Sequence, residues 1–272
     1  MTPRASVCVS VLAGSAFADC ARESVLSVLE NSSFDVHLSL VGVKPKRLPS
    51  ARRLLVSELD TPRGRRRERA WPFLRKFWAL ERCLARTDAE RLVLLDADAV
   101  LVRRLEEGDV AAALSGGALG MVPQETITGS AMSRADFHEH YVRHTLAFIA
   151  PGEEPPPPER FRYFNSGVVL GTRAELESLC SWATSAIASA GRRHAVGKHM
   201  IADQDYFQYW AHAVAPERTV ALPWSWNHSA AWHEGFPRPE ARVLHFSNFC
   251  NGPARGAPAT MRAARSASGS PA

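Results

Sequence analysis

An α/β fold, with helices around a central, mainly parallel sheet, is what this 272-residue sequence predicts. Three observations carry that expectation. Short runs rich in Val and Leu, bounded by turn residues, alternate with stretches of helical periodicity along most of the chain. One run, Leu92 to Leu95, is apolar at every position, the pattern of a strand covered on both faces. The apolar fraction of 46% is that of a packed domain and not of a disordered chain. A single domain is expected over residues 1–255. The remainder, 256–272, is Ala, Arg, Ser, Gly and Pro and is expected to be a disordered tail.

Taken in order, "SVCVSVL" (6–12) and "DVHLSLVGV" (35–43) read as strands. Between them Phe17, Ala21, Val25, Val28 and Leu29 recur at helical spacing, so the three segments form a βαβ unit with parallel strands. The apolar run Val7–Ala13 passes directly into that helix pattern and is too short for a leader segment, so it reads as the first core strand. In "AWPFLRKFWALERCLAR", Pro72 suits a first helical turn, and Phe73, Phe77, Leu80 and Leu84 mark one apolar face. The buried strand "RLVLL" follows, then strands at 118–123 and 164–171. "TRAE" (172–175) has the spacing of a capping box and opens a helix through Leu176, Leu179, Ala183 and Ile187. A second capped helix is expected over 203–214, with Asp203 suited to the cap, and a late strand at 242–246. Residues 150–160, with four successive prolines, predict a stiff loop, and 223–240, rich in Trp, His and Pro, an irregular segment.

Composition narrows the function classes. No stretch approaches the roughly 20 apolar residues that span a bilayer, so no integral membrane segment is expected. The five cysteines, Cys8, Cys20, Cys83, Cys180 and Cys250, are scattered without metal-ligand spacing and predict reduced thiols in a cytoplasmic protein. The net charge is +5, and Arg far outnumbers Lys, a style of GC-rich bacterial genomes. The densest basic run, Arg63 to Arg69, fits a solvated loop, an anionic acceptor or peripheral contact with a membrane surface. It carries no interleaved aromatic residues, so nucleic acid is not expected as a partner.

The apolar run at 92–95 ends in Asp96 and Asp98. Residues i and i+2 of a strand point the same way, so the two carboxylates are expected to project together and to repel unless a cation neutralises them. A hard divalent ion, Mg²⁺ or Mn²⁺, suits oxygen ligands of this kind. A cap or solvated turn is the plain alternative, and an Asp-x-Asp by itself does not separate the two. A third alternative is a phosphohydrolase or phosphotransferase of the haloacid dehalogenase type, in which the first Asp is the nucleophile. That chemistry needs a second acidic pair after a later strand, which this sequence does not convincingly offer.

Further stretches fall in a recognisable order: Lys76, "LLDADAV", "YFNSGVVLG", "ADQDYF" and "VLHFSNF". From about residue 5 to 255 this order resembles the family 8 glycosyltransferases, which include glycogenin and bacterial lipopolysaccharide galactosyltransferases. The resemblance implies a single GT-A (Rossmann-like) domain that moves a sugar from a nucleotide-diphosphate sugar to an acceptor hydroxyl, with a metal ion and with retention of configuration. It implies Asp96, Asp98 and His245 as ligands of Mn²⁺ (or Mg²⁺), with Asp96 near the donor ribose and Asp98 near the diphosphate. It implies donor contacts from Asn165, Ser166 and Lys76, with Gly167 allowing close approach. It also implies a catalytic triplet, in which Asp203 holds donor hydroxyls, Gln204 lies beneath the anomeric carbon and Asp205 completes the motif. Gln204 is a weak nucleophile, which favours front-face transfer with no dedicated base.

Two departures bear on the donor. Where the family has an acidic segment after its first strand, this chain has "LAGSAF", with Ala13 at the nucleotide position. After the late His it has "NGPAR", leaving Arg255 to meet the diphosphate in place of the family's Lys. A UDP-sugar is favoured by the resemblance, with other bases open. The acceptor is a small molecule or a glycan, and the aromatic stretch 223–236 is either its platform or part of the core.

Overall fold

The computed structural model describes residues 7–14, 17–43, 47–59, 71–127, 132–191, 201–229, 240–246 and 257–268. The chain opens as the sequence predicts. Strand β1 (Val7–Ala13), helix α1 (Ala18–Asn31) and strand β2 (Asp35–Leu40) form the βαβ unit, with β1 and β2 parallel in the register Cys8 to Asp35. An edge strand β3 (Leu54–Glu58) adds to β2. After helix α2 (Trp71–Leu84), strand β4 (Arg91–Leu95) returns to the other side of β1, again parallel. A short strand β5 (Ala99–Leu101) and helix α3 (Glu107–Ala113) lead to β6 (Leu119–Pro123).

Next come α4 (Gln124–Ile127), α5 (Arg134–His140), a π-helical turn at 141–146 and α6 (Ala147–Ile149). Strand β7 (Phe164–Thr172) and helix α7 (Arg173–Ala190) follow, then α8 (Asp203–Tyr209), which runs on as a second π turn. The short strands β8 (Thr219–Ala221), β9 (His228–Ser229) and β10 (Val243–His245) precede helix α9 (Ala257–Ser268).

The central sheet has seven strands in the order β3-β2-β1-β4-β7-β6-β8. It is mainly parallel, with β7 antiparallel to both of its neighbours. Its two faces bury separate cores because side chains alternate along each strand. Val7, Val9, Val11, Val93 and Leu95 pack with α1 on one face, and Cys8, Leu92 and Leu94 pack with α2 and α7 on the other. The four described cysteines are buried free thiols. Among the described residues no helix is long and apolar enough to cross a membrane.

Three local expectations need correction. Thr172 caps α7 by accepting from Glu175 N, but the Glu175 side chain does not complete a capping box. It accepts instead from Trp210 Nε1 at 2.7 Å and Arg218 Nε at 2.8 Å, which ties α7 to the segment after α8. Ala202, not Asp203, is the N-cap of α8, and Asp205 accepts from its amide at 2.9 Å. The expected disordered tail holds helix α9 over Ala257–Ser268. Its Ala257, Met261 and Ala264 are buried with Cys20, Val100, Leu244 and Phe246, and Arg262 and Arg265 reach the buried Glu23 of α1. Apolar residues at 257, 261 and 264 make a helical stripe that composition alone conceals.

Candidate metal centre

Strand direction brings the site together. The chain leaves β1 outward through β2 and β3 and comes back beside β1 as β4. The carboxyl ends of β1 and β4 therefore flank a topological switch point, where open α/β sheets leave a crevice. Ala13 closes β1 at this edge and its carbonyl accepts from Val41 N at 2.9 Å. Beside it, nothing among the described residues lies within 4 Å of where a Cβ on Gly14 would stand. Because β7 runs the other way, its beginning, Asn165–Gly167, lies at the same edge as the end of β4.

The two aspartates meet by a turn and not by strand pleating. Strand β4 stops at Leu95, and Ala99 N donates to Asp96 O at 3.0 Å, closing a tight turn over 96–99. Asp96 N donates to Gly167 O at 2.9 Å, anchoring that turn to β7. There the pairing of β7 with β6 slips between Met121 and Val122, so that Val122 faces Asn165 while Met121 faces Val169. Such an irregularity re-aims side chains at a sheet edge. Beyond the turn, β5 pairs antiparallel with β10, setting His245 opposite Ala99, and Phe246 N donates to Asp98 O at 2.8 Å.

The result is a compact cluster. His245 Nε2 lies 3.3 Å from Asp98 Oδ1 and 3.7 Å from Asp96 Oδ2, and one ligand atom from each residue falls within 4.8 Å of the others. Asp98 and His245 are buried and Asp96 is half-buried. Lys76 Nζ joins the cluster to α8: it lies 2.7 Å from Asp96 Oδ1 and 2.6 Å from Asp203 Oδ2, and donates to Ser166 O at 2.9 Å. Ser166 Oγ donates to Asp203 Oδ2 at 2.9 Å, and Gln204 Oε1 accepts from Ser166 N at 3.3 Å. Asp96, Asp98, His245, Lys76, Ser166, Asp203 and Gln204 are thus one connected group.

Burial and neighbouring charge act against each other throughout this group. Burial pushes the Asp96 carboxyl above the usual range, against the pull of Lys76 and His245. Burial acts the same way on Asp98, but the facing imidazole outweighs it and holds that carboxyl below the usual range. Burial opposes charge on His245, yet Asp98 and then Asp96 overcome it and raise the imidazole pKa. For Lys76 burial is likewise outweighed by Asp203 and Asp96, so the ammonium stays charged. Asp96, Asp98 and Asp203 thus share one ammonium and one imidazole. Two oxygens and one imidazole nitrogen are a suitable donor set for a divalent ion, so this group could hold a metal.

Asn165 stands at the rim. Its Oδ1 accepts from Gly167 N at 2.8 Å and from Asn227 Nδ2 at 2.7 Å, and its Nδ2 donates to Gln124 Oε1 at 2.8 Å. Asn227, fully buried just before β9, also lies 3.1 Å from His245 Nδ1. Sequence reading missed Asn227 because it sits in the "SWNHS" stretch with no motif around it. Gly167 has a sharper reason than backbone approach: a Cβ there would stand 2.2 Å from His245 Cε1.

Other expected residues fall elsewhere. Asp205 does not join the cluster; its carboxylate accepts from Thr145 Oγ1 and Ala202 N, and burial lifts its pKa to about 6. Of the aromatic stretch, Trp226 and His228 are buried and Trp224 is half-buried, which fits a core wall better than an open platform; residues 230–236 lie outside the described residues. Arg255 and the basic run 63–69 also lie outside them. No protein-family model matches this chain and no curated protein matches it, so the chemistry of the site rests on the residues just described.

Proposed function

We propose that the protein is a metal-dependent glycosyltransferase that moves a sugar from a nucleotide-diphosphate sugar to an acceptor hydroxyl. The observation that carries this reading is the Asp96–Asp98–His245 group at the β1/β4 switch point, joined through Lys76 to Asp203 and Gln204. Dinucleotides and related ligands bind outside the carboxyl ends of such sheets at this kind of point. A bound Mn²⁺ (or Mg²⁺) would supply Lewis-acid stabilisation to the negative charge of a departing diphosphate.

The chain's own residues do the rest. Asp203 and Ser166, already hydrogen-bonded to each other, offer polar groups to sugar hydroxyls, and Asn165 borders the same edge. Gln204, held by Ser166 N, is an amide and a poor nucleophile. Asp205, engaged by Thr145 and Ala202, supplies no carboxylate in its place. This supports front-face transfer with retention, in which the acceptor proton passes to the leaving phosphate. A UDP-sugar donor follows from the resemblance, and the acceptor is a small molecule or glycan.

One contact favours a second reading. Lys76 Nζ at 2.7 Å from Asp96 Oδ1 would also steady Asp96 as the nucleophile of a haloacid dehalogenase-type phosphohydrolase or phosphotransferase. A thermal-shift panel of UDP, GDP, TDP, CDP and ADP, each with Mn²⁺ and again with EDTA, separates the two. Stabilisation by one nucleotide only with metal supports the transferase and names the base. A well-folded protein that responds to none, yet hydrolyses a phosphate monoester in an Asp96-dependent way, overturns it.

A further inference from the structure

The hydrogen bonds behind His245 have a forced direction. Gly167 N is a backbone amide and can only donate, so the Asn165 atom 2.8 Å away must be its carbonyl oxygen. The atom of Asn227 that meets this oxygen at 2.7 Å must then be the amide nitrogen. The other end of the Asn227 side chain is consequently its oxygen, and it faces His245 Nδ1 at 3.1 Å. Nδ1 must carry the hydrogen of that bond. The nitrogen that can take a metal ion is therefore Nε2, which faces Asp98 and Asp96 and gives up its own proton when a cation replaces it.

We infer that Asn227 is a positioning residue for the metal centre: with Asn165 it relays the direction of the Gly167 N–H to His245 and fixes the tautomer in which Nε2 is the ligand atom. The burial of Asn227 supports this, since an amide with 0% exposure has no water with which to exchange partners. Gly167 completes the arrangement by leaving room for the imidazole it orients. Outer partners of ligating histidines act in this way, and their loss costs about 10–100-fold in metal affinity. The inference rests on the metal reading of the site proposed above.

The test uses the full chain and Mn²⁺ alone, titrated by electron paramagnetic resonance of the free ion, beside thermal melts in EDTA. Asn227→Ala is expected to weaken Mn²⁺ binding by at least about tenfold. Asn227→Asp, which keeps an oxygen acceptor for Nδ1–H, is expected to bind as tightly as wild type or tighter. For a residue that merely packs the order would be reversed, with the buried carboxylate the worse of the two. Asn227→Ala binding within about threefold of wild type, or equal weakening by both variants, overturns the inference while the metal site stands. Equal Mn²⁺ binding by wild type and His245→Ala, or none by wild type, overturns the metal reading and this inference with it. If Asn227→Ala does not fold, Asn227→Ser, whose hydroxyl is too short to reach His245, carries the same expectation.

Discussion

Replacing Gly167 with alanine would put a methyl carbon 2.2 Å from His245 Cε1, 2.6 Å from its Nδ1 and 2.9 Å from Asn165 Oδ1. Carbon atoms in contact settle at about 3.5–4.0 Å, so the overlap with Cε1 exceeds about 1 Å. The backbone cannot retreat easily. Gly167 N donates to Asn165, and Gly167 O accepts from Asp96 N. The imidazole must therefore move by about 1 Å or more, and metal–nitrogen distances tolerate only about 0.2 Å. Overpacking of this kind costs about 1–3 kcal/mol of stability. Mn²⁺ affinity is expected to fall to the level of His245→Ala. Gly171→Ala is the control on the same strand, because its methyl would stand 2.5 Å from Leu176 Cγ, in the core under α7. It should lose similar stability and keep its metal affinity. Calorimetric Mn²⁺ titrations with melts in EDTA report both quantities. Wild-type affinity in Gly167→Ala, or the same loss in both alanine variants, would refute the reasoning.

Three further outcomes are expected. Asp205 has a folded pKa of about 6, above its ordinary value, so the folded state holds its proton more tightly and loses stability as pH rises through 6. Asp205→Asn should raise stability at pH 8 by up to about 3 kcal/mol and leave Mn²⁺ affinity unchanged; a fall in that affinity would put Asp205 back in the site. Buried His37 and half-buried His212 have pKa values lowered to about 4, so their stability is present above about pH 6.5 and is lost as pH falls toward 4. Urea midpoints should drop across that window, and a His37→Gln/His212→Gln double variant should flatten the drop; an unchanged slope would show that other groups govern it. Arg265→Ala removes a partner of buried Glu23, which keeps Arg22 and Arg262, and should cost about 1–3 kcal/mol with faster hydrogen exchange over 257–268. Unchanged exchange there would mean that this pair does not dock α9.

Long elements with strong periodicity were legible in the sequence: β1, α1, β2, α2, β4 and α7 all lie where Val/Leu runs or 3–4 spacing put them. What escaped were elements held by tertiary context. Strand β3 lies on the sheet edge with Leu55 and Val56 exposed, so its sequence carries no burial pattern to read. Strands β5, β9 and β10 have two or three residues each and exist because the 96–99 turn delivers β5 to β10. Helix α9 reads as disorder because seven of its twelve residues are Ala or Ser; its partners, Cys20 and Glu23, sit more than two hundred residues earlier.

The site was legible as a set of residues but not as a connected object. The motifs single out Asp96, Asp98 and His245, and the three converge, through a turn and not through a pleat. The resemblance makes Lys76 a cation that meets the diphosphate, and in the structure its donors are already engaged. An ammonium has three N–H donors, and Asp96, Asp203 and Ser166 O supply three acceptors at 2.6–2.9 Å. Lys76 can serve a phosphate oxygen only if one of these lets go. Asp203 is held a second time by Ser166 Oγ, and the Ser166 carbonyl belongs to the strand, so neither yields without disturbing β7. Asp96 is different, because a divalent ion at the cluster would take over its charge. In the proposed reading, metal loading is therefore the step that would free a Lys76 hydrogen bond for a phosphate oxygen, so that the metal and this lysine would act in succession.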